Sequence, residues 1–206
     1  MSPISHIGRY FVFMTRVCRQ PLKWRIFGNR ILDEIEKIGI DSIGIVTIIS
    51  FFVGAVVCIQ TANNLGNPLI PTSTVAYAVR ECIILEFSPT IICLVLAGKV
   101  GSNISSEIGT MRITEQIDAL DIMGVNSANH LVAPKIVAMV LSVPVLVIYS
   151  IAIGIIGGYV AGEYTGLVPT DAFFEGIHFI FKPYYVAYSL FKSTIFGFII
   201  ASIASY

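Results

Sequence analysis

Two stretches of the chain are apolar, uncharged and long enough to cross a lipid bilayer. Residues 43–62 contain no charged side chain over 20 residues, and residues 136–162 contain none over 27. A helix needs about 20 apolar residues to span the hydrocarbon core. Only 13% of the 206 residues are charged, about half the share found in soluble domains. The sequence therefore predicts an all-α integral membrane protein and leaves no room for a separate soluble catalytic domain.

Two further apolar stretches, residues 76–98 and 184–206, carry charges inside them, which gives four predicted transmembrane helices in all. Before them, residues 4–38 alternate apolar and basic side chains at helical spacing, with Tyr10, Phe11 and Met14 on the apolar side. That pattern is typical of a helix lying in the headgroup layer. We therefore divide the chain into an N-terminal interfacial amphipathic helix, 1–38, and a transmembrane domain, 39–206.

The distribution of Lys and Arg predicts the orientation. Residues 1–37 contain seven basic side chains and residues 99–135 contain three, whereas 61–79 and 161–181 contain none. Because basic loops stay on the cytoplasmic side, we expect the N-terminus and the 99–135 loop to be cytoplasmic. The connections at 61–79, which is rich in turn residues, and at 161–181 should face outward.

Several function classes are disfavoured by composition and spacing. The formal net charge is zero, whereas nucleic-acid-binding domains carry a concentrated basic surface. The four cysteines and three histidines show neither zinc-site spacing nor a disulfide framework. A phosphate-binding loop would need glycine at Cys93 and a hydroxyl residue at Val100. We expect no cofactor bound by this chain, so energy coupling would have to come from a separate protein.

The cytoplasmic segment from Glu107 to Gly124 has the pattern of a short amphipathic helix. Ile113, Ile117 and Leu120 fall at helical spacing, and Gly124 is placed to end the helix. Such a helix could lie on the membrane surface or dock into a soluble partner. Residues 99–135 carry four acidic against three basic side chains, which suits an anionic inner leaflet poorly, so we favour docking.

Small residues and charged side chains inside the predicted spans indicate contacts between helices. Gly154 and Gly158, with Gly98 and Gly101, are small residues that permit close helix packing, within one chain or between two copies. Glu86 and Lys192 lie near the midpoints of their spans, so they can meet at similar depth. Alternatively, Lys192 extends to the interface while Glu86 is protonated and bonded to a hydroxyl.

The central motifs resemble those of the MlaE permease family, which are membrane subunits of ATP-driven lipid transporters that act with MCE-domain proteins. The resemblance rests on Glu86 and Pro89, on AGKVG at 97–101, SEIGTM at 106–111 and EQIDAL at 115–120, on Gly124 and Val125, and on LVAPK at 131–135. It also includes Phe191, Lys192 and Ser193. The chain departs from the family pattern at Ser88, Lys99 and Asn126-Ser127, where the family usually has glycine, arginine and Asp-Pro.

The resemblance implies a homodimeric permease of the bacterial inner membrane that maintains outer-membrane lipid asymmetry. Phospholipid would be the substrate, a cytoplasmic ABC ATPase would supply energy, and a periplasmic MCE-domain protein would cover the pathway. The resemblance implies that Glu86 and Lys192 line that pathway. It also implies a fifth span beyond Tyr206, where the chain ends while still apolar. The implied ATPase-coupling residues are Glu107, Gly109, Thr110, Met111, Glu115, Gln116, Ile117, Asp118 and Leu120.

A second function class stays open on the residues alone. An intramembrane carboxylate is a common proton site, so Glu86 could belong to an ion-coupled secondary transporter. A purely structural scaffold is disfavoured by the charges inside the spans. A co-purifying ATPase would favour the first class, and a lone chain that responds to a pH gradient would favour the second.

The predicted orientation can be tested by cysteine labelling. In a chain whose native cysteines are replaced, Thr170→Cys should react with an impermeant thiol reagent in intact cells whose outer barrier is removed, because residue 170 lies in a loop without basic residues. Asp118→Cys should react only after the membrane is opened. If position 118 alone were labelled in intact cells, the orientation would be the reverse of the predicted one.

Overall fold

The computed structural model describes residues 3–18, 24–65, 71–124 and 126–206, and these residues form helices joined by short turns. No β-strand occurs among them. The helices, in chain order, are α1 (Pro3–Cys18), α2 (Trp24–Ile38), α3 (Ile43–Asn64), α4 (Ser73–Cys82), α5 (Ser88–Leu96), α6 (Ser102–Ile113), α7 (Gln116–Ile122), α8 (Ser127–Thr165), α9 (Thr170–His178) and α10 (Pro183–Ala204). A 3₁₀ turn at Ile40–Ser42 and π-helical turns at Ile83–Phe87 and Ala97–Gly101 join consecutive helices.

The predicted all-α architecture with four membrane spans is confirmed. In the described residues, four helical stretches are apolar and long enough to cross a bilayer: Phe27–Asn64, Ser73–Ile113, Ser127–Thr165 and Pro183–Ala204. The second is longer than predicted because the polar residues after Gly101 continue the helix. Their hydroxyls bond within it: Ser102 Oγ donates to the carbonyl of Gly98 at 2.6 Å, and Thr110 Oγ1 donates to that of Ser106 at 2.9 Å.

The N-terminal segment forms two helices, α1 and α2. Val17 is buried, but Phe11, predicted on the same apolar side, is 64% exposed. The amphipathic character of this segment is therefore not confirmed, and its place in the headgroup layer stays a prediction. Residues 19–23, which include Pro21, lie outside the described residues, as does most of the turn-rich connection, 66–70.

The chain divides into two compact units. The first unit comprises Met1–Asp41, Leu96–Val143 and Ile195–Tyr206, and the second comprises Ser42–Val95 and Pro144–Thr194. In the first unit the fully buried apolar side chains include Ile38, Ile104, Met139 and Val143. Tyr10 of α1 joins this unit by donating its hydroxyl to Ser202 Oγ at 2.8 Å.

The core of the second unit is built where α3, α4, α8 and α9 meet. Its buried cluster includes Cys58 of α3, Val79 of α4 and Phe173 of α9, with Tyr159 of α8 packed against it. Gly176 of α9 lies so close to α4 that a Cβ atom there would be 2.2 Å from the carbonyl oxygen of Ser73. The short helix α9 is therefore seated directly on the start of the second span.

Glycines bring α3 and α8 of the second unit into backbone contact. A Cβ atom at Gly54 would lie 1.9 Å from the carbonyl oxygen of Gly154, and one at Gly157 would lie 2.2 Å from that of Phe51. A Cβ atom at Gly158 would lie 3.3 Å from the carbonyl oxygen of Gly54. In this chain Gly154 and Gly158 thus pack inside one protomer, as small residues permit. In the first unit, a Cβ atom at Gly101 would lie 3.8 Å from the Ala204 Cβ, whereas one at Gly98 would point into open space.

The contact of α3 with α8 predicts a position-specific effect of side-chain size. Gly54→Leu should destabilise the protein by about 3 kcal/mol or more, because a side chain there collides with backbone rather than with a movable side chain. Gly44→Leu, on the same helix with open space around it, is the matched control. Thermal unfolding in detergent measures both, and equal midpoints for the two variants would contradict the close helix contact.

Candidate functional site

A π-helical turn deforms the second span where its charges lie. In the turn Ile83–Phe87, the N–H of Ser88 donates to the carbonyl of Ile83, five residues earlier. Pro89 follows and has no N–H, so the carbonyl of Leu85, four residues before it, receives no α-helical hydrogen bond. Such turns are frequent at functional sites. Glu86 therefore occupies an irregular part of the helix next to an orphaned backbone acceptor.

Lys192 of α10 satisfies both of these groups. Its Nζ donates to Glu86 Oε2 at 2.8 Å and to the carbonyl of Leu85 at 3.3 Å. The Lys192 side chain is 19% exposed, while that of Glu86 is 67% exposed. The structure thus brings together the two charges that the sequence placed at similar depth. The ammonium is held in a fixed position, and the carboxylate faces open space.

An apolar groove of about 390 Å³ adjoins the π-helical turn. Phe87, the residue after Glu86, lines it together with Phe52 and Val56 of α3. Gln60 and Thr61 also border the groove, but its lining surface is almost wholly apolar. The groove, which lies within the second unit, therefore offers apolar surface on which a long aliphatic group could pack.

Three buried serines connect the helices around the turn. Ser50 Oγ donates to Ser150 Oγ at 2.8 Å, and Ser150 Oγ donates to Ser88 Oγ at 3.2 Å. They belong to α3, α8 and α5 respectively. Ser88, a departure from the family pattern, therefore acts here as a hydrogen-bonding tie that glycine could not provide.

Arg80 is a buried charge whose partner the sequence did not reveal. Its side chain is 2% exposed and pairs with Glu81 at 2.6 Å. Its guanidinium also donates to the carbonyl of Ile177 in the last turn of α9 and to those of Phe179 and Ile180 just after the helix. The carbonyls at a helix C-terminus lack intrahelical donors, and a cation there is favourable. Arg80 consequently fixes the end of α9 to α4.

The predicted single helix from Glu107 to Gly124 is wrong, because the segment is broken at Thr114 and Glu115. Glu115 adopts a left-handed φ of 57°, which a non-glycine residue seldom adopts. Thr114 Oγ1 donates back to the carbonyl of Thr110 at 2.9 Å. Thr110 therefore lies in the last turn of α6, and Thr114 closes that helix. Gly124, with φ of 75°, lies just after α7 as expected.

The break changes which apolar side chains are displayed. Ile113, at the end of α6, is 86% exposed and no longer shares a helix face with Ile117 and Leu120. Ile117 and Leu120 are half-buried, whereas Ile122 is 86% and Met123 is 68% exposed. The exposed apolar patch, which we call the Ile113–Met123 patch, consists of Ile113, Ile122 and Met123.

The other predicted coupling residues lie on or beside this break. Gly109 has open space around it, Met111 is half-buried, and Gln116 and Asp118 are exposed on α7. Asp121 Oδ1 accepts the N–H of Ser127, and Asn126 Oδ1 accepts that of Asn129, both at 3.4 Å. Asn126-Ser127, which replaces the Asp-Pro pair usual in the family, thus still supports the start of α8. Val125 lies outside the described residues.

Glu107 points into the first unit and pairs with Lys135. Lys135 Nζ lies 2.5 Å from Glu107 Oε2 and 2.9 Å from Glu34 Oε1. Sequence reasoning placed Glu107 with the coupling residues but gave no partner for it, and it missed Glu34. Within the described parts of the chain, no group of three His, Cys, Asp or Glu side chains is arranged to hold a metal ion.

Comparison with known proteins agrees with these features. The model of the family described as Permease MlaE matches residues 31–206. A probable ABC transporter permease protein of Rickettsia bellii is 33% identical over 204 residues, covering 97% of this chain and 77% of the relative. The intermembrane phospholipid transport system permease protein MlaE of Haemophilus influenzae is 34% identical over 132 residues, 64% of this chain and 50% of that protein.

A more distant relative is the chloroplastic protein TRIGALACTOSYLDIACYLGLYCEROL 1 of Arabidopsis thaliana. It is 26% identical over 206 residues, covering 98% of this chain and 59% of the plant protein. Because the family model covers most of the chain and a relative above 30% identity extends over nearly all of it, this membrane protein belongs to the MlaE permease family.

Proposed function

We propose that this chain is the permease subunit of an ATP-binding-cassette phospholipid transporter. The observation that carries the proposal is the Glu86–Lys192 ion pair, held at a proline-deformed turn of a spanning helix beside an apolar groove. The names of the relatives from Haemophilus and Rickettsia support lipid as the substrate and ABC-type transport as the activity.

The site has the chemistry that a phospholipid requires. An ammonium has three N–H donors, and Lys192 uses two of them on Glu86 and Leu85. The third can donate to a phosphate oxygen of the headgroup, and the groove lined by Phe52, Val56 and Phe87 can receive an acyl chain. An acyl chain in this groove keeps surroundings as apolar as the bilayer that it leaves, and it gains van der Waals packing against the lining side chains. Lys192 would orient the lipid, and Glu86 would balance its charge when the site is empty.

The proposal includes the subunits that the family resemblance implies. Two copies of the chain would form the lipid pathway in the bacterial inner membrane, with the N-terminus cytoplasmic. A separate ATPase would bind ATP and Mg²⁺, hydrolyse ATP and dock at the Ile113–Met123 patch. A periplasmic MCE-domain protein would receive or deliver phospholipid, and the transporter would maintain outer-membrane lipid asymmetry.

The direct test is reconstitution. The permease, purified with its co-expressed ATPase and placed in vesicles, should move fluorescent phospholipid in an ATP-dependent manner. If the chain moves substrate alone in response to a pH gradient, and ATP has no effect, Glu86 is the proton site of a secondary transporter and the proposal fails.

A charge reversal tests the ion pair in this assay. Glu86→Lys and Lys192→Glu should each lower lipid transfer at least about tenfold, because an unpaired charge within a span costs roughly 2.5–3.5 kcal/mol. The double reversal should recover part of the activity. Glu163→Lys, at an exposed position, is the control for a change of charge. Silent single variants would remove both residues from the mechanism, and harmful singles without recovery would show that they do not act as a pair.

A second prediction concerns docking of the ATPase. Ile113→Asp combined with Ile122→Asp should release the ATPase from the purified permease, because loss of apolar anchors at an interface commonly costs about 2 kcal/mol or more each. Tyr164→Asp, at a residue 90% exposed in the loop expected to face outward, should retain it. The ratio of the two subunits after purification measures the effect, and an unchanged ratio in the double variant would exclude the Ile113–Met123 patch.

A further inference from the structure

One cation in the first unit joins three helices through two carboxylates. Lys135 of α8 is 3% exposed, and its Nζ contacts Glu34 of α2 at 2.9 Å and Glu107 of α6 at 2.5 Å. We call these three residues the Lys135 triad. The family resemblance implies a coupling role for Glu107 alone, and neither it nor the relatives' names give a role to Lys135, to Glu34 or to the contact of the three residues.

The Lys135 triad holds three helices together at a cost in hydration free energy. Ions lose hydration when they are buried, and apolar side chains of similar volume are often equally stabilising. The two carboxylates would repel each other without the ammonium between them. A charged tie is directional, however, since each N–H donor must meet an oxygen at a defined distance. The triad therefore sets the position of α6 relative to α2 and α8 more sharply than apolar packing would.

The two carboxylates are not equivalent. The Glu34 side chain is 14% exposed, whereas that of Glu107 is 29% exposed. Glu107 lies six residues before Ile113, the last residue of α6, which at 1.5 Å per residue is about 9 Å along the helix. The break at Glu115 and helix α7 follow directly. The Glu107–Lys135 contact therefore lies about two helical turns from the joint between α6 and α7.

We infer that Lys135 is a positioning residue for energy coupling. Glu34 holds the ammonium in place, and Glu107 forms the contact that is made and broken as α6 and α7 move with the ATPase. The inference rests on the proposed function, because it assigns a role to the segment that would meet the ATPase. Its measurable quantity is the amount of lipid moved for each ATP hydrolysed.

The first test removes the charge of Glu107 in the assembled transporter. Glu107→Gln should lower the lipid moved per ATP at least about tenfold, because a charge-assisted hydrogen bond is lost while the rest of α6 is unchanged. Glu107→Asp, which keeps the carboxylate, should restore part of the ratio. Glu36→Gln, at an exposed position of α2, should leave the ratio unchanged.

The second test exchanges the charges. Lys135→Glu alone gathers three carboxylates and should abolish coupling. Combined with Glu107→Lys, it again places one ammonium between two carboxylates, and the lipid moved per ATP should rise well above that of either single variant. This pair also decides the case in which Glu107→Gln fails to assemble, because a recovered double variant shows that the charge arrangement matters.

The outcomes separate the inference from the proposed function. A wild-type complex without ATP-dependent lipid transfer refutes the proposed function itself. An active wild type with an unchanged ratio in Glu107→Gln overturns only the coupling role of the triad. A lower unfolding temperature without a change in the ratio, or a double variant that does not recover, shows that the triad merely stabilises the fold and also overturns the inference.

Discussion

The structure depends on one constraint: a backbone carbonyl that a helix leaves unpaired in or near a membrane must find a donor from elsewhere in the chain. Lys192 donates a hydrogen bond to the carbonyl of Leu85, because Pro89 has no N–H to donate to it. Arg80 serves the carbonyls that follow α9. In the first unit, the side-chain amides of Asn126 and Asn129 donate to the carbonyls of Arg16 and Val17 at the end of α1. Polar side chains that look misplaced in the sequence therefore compensate for interruptions of the helices.

This view explains what could be predicted from the sequence. The spans were predictable because a run such as 136–162 has no charge and no soluble alternative. The positions at which the helices break or approach each other closely were not predictable. The break at Glu115 occurs at a residue that is neither glycine nor proline, so its left-handed φ could not be predicted from the residue type. The need for glycine at position 54 was missed because it arises from contact with the backbone of Gly154, which lies a hundred residues later in the sequence.

The candidate site shows the same division. Glu86 and Lys192 could be paired in advance because membrane depth restricts where each can lie, which reduces the search for partners to one dimension. No such restriction applies to Glu107 and Lys135, which occur in a polar segment where many pairings are possible. Their third member, Glu34, lies on a helix whose relation to that segment the sequence does not encode locally. The coupling patch also shifted, since the break at Glu115 turned Ile113 away from Ile117.

Exposure separates ion pairs that hold the structure from the one suited to a ligand. Arg80 and Lys135 are 2% and 3% exposed, so their donors are enclosed by protein partners. Lys192 is 19% exposed and its partner Glu86 is 67% exposed, which leaves an ammonium that is fixed by the backbone and still accessible. An anionic headgroup that approaches Lys192 meets a donor already oriented, so little ordering is required on binding. In the proposed site, the proline that interrupts the helix therefore also frees the carbonyl that positions Lys192.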